Sequence, residues 1–245
     1  MEKRKESKIF ILENPKSVIS EAYRTLRTNI QFSSVDKELK TIVVTSSKSK
    51  EGKSSIASNL AYSFAESGKN VLLIDCDLRK PMIHRNFNMS NLKGLTNILI
   101  GEKSFSEVVS IHEKRKELHI LPSGPLPPNP AELLGSKRMK DFIETVRNDY
   151  DIVIFDTPPI GLVTDSAIIS TIADGTIIVI NVGETEIELA QHSVDLLKKV
   201  NANIIGVVLN KIPVKNNKYY GYSYLQYEDY YDESESDDKK AKRKW

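Results

Sequence analysis

Short apolar runs rich in β-branched residues recur along this 245-residue chain, and stretches of helical spacing separate them. The runs are TIVVT (41–45), VLLID (71–75), DIVIF (151–155), TIIVI (176–180) and IIGVVL (204–209). They are continuous rather than alternating, which predicts strands covered on both faces. Apolar residues three and four apart predict helices from about Ser17 to Phe32, Ser54 to Ser67, Ser136 to Asn148 and Ile187 to Val200. Such alternation predicts a mainly parallel sheet between two helical layers, a three-layer α/β fold whose ligands sit at the carboxyl ends of the strands. LHIL (118–121) predicts one more short strand, and the proline-dense segment 121–136 a loop. After Pro213 the aliphatic periodicity stops. A folded domain over residues 1–212 and a flexible tail over 213–245 are therefore expected.

The strand TIVVT runs into SSKSKEGKSS (46–55) and then a helix, the context that a phosphate loop requires. In such a loop the backbone N–H groups of Ser49, Lys50, Glu51, Gly52 and Ser55 surround phosphates. Lys53 supplies a point charge and Ser54 a hydroxyl for Mg²⁺. Ser47 stands where the usual pattern has its first glycine. Two acidic strand ends strengthen the reading: VLLIDCDLRKP (71–81) places Asp75 and Asp77 beyond one strand, and DIVIFDTPP (151–159) places Asp156 beyond another. One aspartate at a strand end is commonly a turn former. Three beside a phosphate loop predict a site where carboxylates hold Mg²⁺ against a nucleotide.

Composition narrows the class. No apolar run exceeds four residues, far short of the roughly 20 that a membrane-spanning helix needs. The basic start MEKRKESKIF leads into no apolar h-region, and Cys76 is the only cysteine, so a cytoplasmic protein is expected. The net charge of +2, from 35 basic and 33 acidic residues, gives no drive toward nucleic acid. His84, His112, His119 and His192 lack metal-ligand spacing. Seven of the ten tyrosines (Tyr219, Tyr220, Tyr222, Tyr224, Tyr227, Tyr230 and Tyr231) fall between residues 219 and 231, where an even spread would put fewer than one. The tail that holds them is acidic from Glu228 to Asp238 and basic from Lys239 to Lys244.

Taken in order, SSKSKEGKSS, VLLIDCDLRKP, IVIFDTPP and the tyrosine cluster resemble the bacterial tyrosine kinases of capsular and extracellular polysaccharide synthesis, the BY-kinases. EAYRTLRTNI (21–30) is similar to their E-x-x-R-x-x-R interaction helix through Glu21, Arg24 and Arg27, and GPLPPNPAELL (124–134) to their proline-rich loop. The resemblance implies a P-loop NTPase fold of the partitioning-ATPase type, with ATP and Mg²⁺ as cofactors. It implies autophosphorylation of the tail in trans within a ring-like homo-oligomer, with Glu21, Arg24 and Arg27 at the contact. It also implies control of polysaccharide synthesis and export, a separate membrane-embedded activator of the chain-length type that recruits the kinase to the inner face of the membrane, and possible exogenous protein substrates. By the same resemblance Asp75 is the base, Asp77 and Asp156 organise Mg²⁺ with Ser54, and Asn210 meets the base of the nucleotide. The residues alone leave Asp75 and Asp77 interchangeable. Arg79 and Lys80 are candidates for steadying the phosphoryl group or for docking an acidic acceptor. Two departures stand out: Ser49 and Lys50 replace the family's Pro-Gly, and Lys48 lies where partitioning ATPases carry a lysine that crosses a dimer. A solvated Lys48 is the expectation. The competing reading is a partitioning-type ATPase switch, which would govern dimerisation or membrane attachment without protein phosphorylation.

Overall fold

The computed structural model describes residues 9–33 and 38–213. In chain order the elements are α1 (Phe10–Glu13), α2 (Val18–Phe32), β1 (Thr41–Ser46), α3 (Lys53–Glu66), β2 (Val71–Asp75), α4 (Ile83–Asn86), α5 (Leu95–Leu99), α6 (Phe105–Val108), β3 (Ser110–His112) and β4 (Arg115–Leu121). They continue with α7 (Pro130–Leu134), α8 (Lys137–Asp149), β5 (Ile152–Asp156), α9 (Asp165–Ser170), β6 (Gly175–Asn181), α10 (Ile187–Lys199) and β7 (Ile204–Asn210). The seven strands form one sheet in the order β3-β4-β2-β5-β1-β6-β7. Every neighbouring pair is parallel except β3 and β4.

The five continuous apolar runs are strands, and β1, β2 and β5 are buried at every position. One face of the sheet, with Ile42, Val44, Leu73 and Ile154, packs on Leu60, Phe64 and their neighbours in α3. The opposite face, with Val43, Leu72, Val153 and Phe155, packs on Met139, Phe142 and Val146 of α8. Helix α3 is buried on nearly all sides because the sheet lies beneath it and α1 and α2 cover it. Helices α2 and α8 begin where the side chains of Ser17 and Ser136 accept the N–H groups of Ser20 and Met139. Each satisfies a donor that the first helical turn leaves orphaned.

Three local features differ from expectation. The predicted loop 121–136 contains the short helix α7, which starts at Pro130, where a missing N–H costs nothing. The strand expected at 118–121 begins earlier, at Arg115, since charged side chains point outward from an edge hairpin with β3. That hairpin partner was not anticipated at all. The expected domain boundary at 212 falls at the end of the described residues, and the tail with Tyr219 to Tyr231 lies outside them. Among the described residues no helix is long and apolar enough to cross a membrane.

Candidate active site

Strands β2, β5 and β1 are consecutive in the sheet, so the three predicted motifs emerge side by side. Register makes this tight: Asp75 pairs with Asp156, and Asp156 with Val44, two residues before the end of β1. Between Ser46 and α3 lies the loop 47–52. Gly52 caps the helix in the left-handed region with φ of 95°, and a Cβ there would stand 2.2 Å from Asn210 Nδ2. Only glycine fits this position. The loop that follows β5 lies equally close, because a Cβ on Gly161 would come within 2.4 Å of the Ser47 carbonyl oxygen.

The Lys53 ammonium sits between two carboxylates, donating to Asp77 Oδ2 at 2.9 Å and Asp156 Oδ1 at 3.3 Å. Burial works against its charge, but Asp156 and Asp77 outweigh burial and raise its pKa above the usual amine value. Asp75 is fully buried. Its Oδ2 accepts the N–H groups of Met82 and Ile83, and its Oδ1 that of Asp77. Burial first, then the neighbouring Asp156 charge, pushes its pKa up to about 8. Asp156 is raised for the same leading reason, with the Lys53 charge opposing. Asp77 Oδ1 accepts the Lys80 N–H at 2.9 Å, which fixes its carboxylate toward Lys53.

This site suits a triphosphate and Mg²⁺. Asp156 Oδ2 is buried without a hydrogen-bond partner, and the Ser54 hydroxyl lies near enough to help hold down the pKa of the same aspartate. A buried orphan oxygen costs about 1–3 kcal/mol, so a cation beside it would recover that deficit. Among the described residues no three His, Cys, Asp or Glu side chains are grouped to hold a metal by themselves. Mg²⁺ does not need such a cage, since it keeps waters and phosphate oxygens around one or two carboxylates.

The structure thus brings together Lys53, Ser54, Asp75, Asp77 and Asp156. Asn210, at the end of β7, also reaches the site, where its Nδ2 donates to the Glu51 carbonyl at 2.8 Å. Arg79 forms a bidentate pair with the buried Asp165 at 2.9 and 3.0 Å. Asp165 opens α9 and was not anticipated; its only signal was a carboxylate at the start of a helix in the loop after β5. Lys48 donates through its ammonium to the Glu184 carbonyl of the same chain at 2.5 Å, a solvent-exposed contact. On α2, Arg24 bonds Glu66 of α3 at 2.9 Å and Glu21 at 3.2 Å, and Arg27 donates to the Ser63 carbonyl at 2.8 Å. The two arginines therefore fasten α2 to the helix that starts with Lys53.

Fold and site together define a P-loop NTPase of the partitioning-ATPase type. The AAA domain family matches residues 39–210. The septum site-determining protein MinD from Pyrococcus horikoshii, complexed with Mg-ADP, superposes with a TM-score of 0.59 over 69% of each chain at 22% identity, a likeness of fold. Within that class the chain belongs to the BY-kinase family. It is 45% identical over 219 residues to the tyrosine-protein kinase YwqD of Bacillus subtilis (strain 168), covering 89% of this chain and 92% of the relative. The chimerical protein CapA2B2 matches with a TM-score of 0.82 at 37% identity, over 86% of this chain and 92% of that one. The kinase domain of the Escherichia coli tyrosine kinase ETK matches with 0.80 at 32%, over 86% and 84%.

Proposed function

We propose that this kinase uses ATP and Mg²⁺ to phosphorylate the tyrosines of its own C-terminal cluster, Tyr219 to Tyr231, in trans within a ring-like oligomer. The observation that carries the reading is Lys53 held between Asp77 and Asp156, with Asp75 behind them, at the ends of three adjacent strands. In this reading Lys53 and the backbone of loop 49–55 bind the β- and γ-phosphates. Ser54, Asp77 and Asp156 hold Mg²⁺, which neutralises charge on the phosphates when bound. Asn210 and the end of β7 border the nucleotide.

The acceptor is a tyrosine hydroxyl, ionised at neutral pH only about once in a thousand. In a loose transition state the proton leaves late, and a carboxylate suffices to take it. Asp75 supports that role through its raised pKa, which makes its ionised form a stronger proton acceptor than an ordinary carboxylate. Asp77 is tied to Lys53 and is the better metal partner. The in-chain engagement of the Lys48 ammonium with Glu184 offers no support to a dimer-crossing lysine and hence to a partitioning switch.

Beyond the reaction, the reading includes control of capsular or extracellular polysaccharide synthesis and export, exogenous protein substrates, and a membrane-embedded activator that brings the kinase to the inner membrane face. The homologous kinases and the CapA2B2 match support it. Glu21 is the more exposed member of its pair with Arg24, which supports an oligomer contact along α2. The test is incubation of purified protein with γ-labelled ATP and Mg²⁺, with and without the activator's cytoplasmic segment. Label on tyrosine is expected. ATP hydrolysis with no protein-bound phosphate would favour the switch instead.

A further inference from the structure

Lys50 has φ of 67°, in the left-handed region that a residue with a side chain enters only at a cost of roughly 1 kcal/mol. Such a conformation persists where its surroundings hold it in place. Here the holding groups come from the end of β7 and from the loop that precedes α10. Lys211 donates to the Lys50 carbonyl at 2.8 Å, and Asn210 to the Glu51 carbonyl at 2.8 Å. The Glu51 side chain is buried although it stands in a loop expected to meet phosphate. Both of its oxygens are engaged: one accepts the Lys48 N–H at 2.9 Å, and the other accepts the Thr185 hydroxyl. Next to Thr185, the Glu184 carbonyl receives the Lys48 ammonium.

We propose that Glu51 and Thr185 are positioning residues, a latch between the phosphate loop and the loop preceding α10 that keeps the strained loop in its nucleotide-binding shape. The proposal rests on the reading of loop 47–52 as a nucleotide site. A negative side chain in a phosphate loop would ordinarily repel its ligand; bonding it to Thr185 and the Lys48 N–H turns it into a strut. The latch also fixes the start of α10, so the loop and that helix move as one unit. It follows that glycine at position 50, which needs no external support at positive φ, would make the latch less necessary.

Titration with a fluorescent Mg-ADP analogue tests this, with melting temperature and circular dichroism followed in parallel. Thr185→Val keeps the volume and removes the hydroxyl on a partly exposed loop. It is expected to weaken binding about tenfold, as loss of a bond to a charged group would, with kcat at saturating ATP changed less than KM. Thr185→Ser should stay within about twofold of the natural protein. In a Lys50→Gly background, Thr185→Val should cost less than about threefold. Glu51→Gln, which still offers an acceptor to Lys48, gives a second reading if Thr185→Val does not fold, and should weaken binding severalfold. Equal affinity for Thr185→Val (or for Glu51→Gln, where it stands in) and the natural protein would overturn the latch. So would an undiminished penalty in the Lys50→Gly background. If the natural protein itself bound no nucleotide, the reading of the site, rather than the latch, would fail.

Discussion

Lys53 is a structural cation in its pairs with Asp77 and Asp156, and in the proposed reading a catalytic one as well. Removing it as Lys53→Met should abolish tyrosine phosphorylation, a loss of about 10²-fold or more. It also strands Asp77 and Asp156 without their shared partner, and breaking a buried pair costs about 3–5 kcal/mol. Lys53→Met should therefore melt lower than the natural protein, and Lys53→Met with Asp77→Asn should recover part of the loss while staying inactive. Calorimetry beside a kinase assay checks both, and unchanged melting would contradict the ion-pair geometry. Asp75 gives a pH prediction. Its folded pKa is raised to about 8, so below that it is mostly protonated and cannot take a proton from tyrosine. The value of kcat/KM should climb as pH rises from 6 toward 8 and then level. A flat profile across that range would remove Asp75 from the role of base.

The same aspartate logic works with opposite sign where elements join. Asp174 precedes β6, and its Oδ2 accepts from the Lys40 N–H and from the Thr41 N–H and hydroxyl, while Oδ1 receives Arg147 of α8 at 2.7 Å. Burial opposes its ionisation, but the Thr41 bonds and Arg147 prevail and its pKa is lowered. A depressed carboxylate stabilises the fold above its unfolded pKa near 3.9 and loses that contribution as pH falls through the folded value. Asp174→Ala should cost about 2 kcal/mol at pH 7, or about 4–8 °C in Tm, and the deficit should shrink below pH 4. A deficit independent of pH would contradict this. At this scale the sequence is legible where local chemistry decides. The continuous apolar strands, the helix starts near Ser17 and Ser136, and the strand-end aspartates were all readable. Hairpin β3 to β4 was not, because three residues carry too little periodicity. Nor were Asp165, Thr185 or Glu184, whose significance depends on partners 86, 134 and 136 residues away. Asp174 hid for the same reason, since its partner Thr41 is 133 residues distant.

At the scale of the molecule, a near-neutral total conceals a charged tail attached to a catalytic domain. Residues 39–210 match the AAA domain family, and seven tyrosines follow within about twenty residues of Asn210 in sequence. Each phosphate would add about −1.5 to −2 charge to a segment already acidic from Glu228 to Asp238. In the proposed ring, accumulated repulsion would then drive the tail out of a neighbouring site and loosen the assembly. In the proposed oligomer Arg24 and Arg27 would give that event a route to the site, because they tie α2 to α3, the helix that begins with Lys53. Two forms of the chain test the claim in one mixture: full-length Lys53→Met as acceptor and a chain ending at residue 213 as catalyst. With ATP, Mg²⁺ and the activator segment, mass spectrometry should find phosphate on the acceptor between Tyr219 and Tyr231. Phosphate absent from those seven tyrosines, while full-length unmutated chain still labels its own, would contradict transfer in trans; absence from both would contradict the kinase account itself.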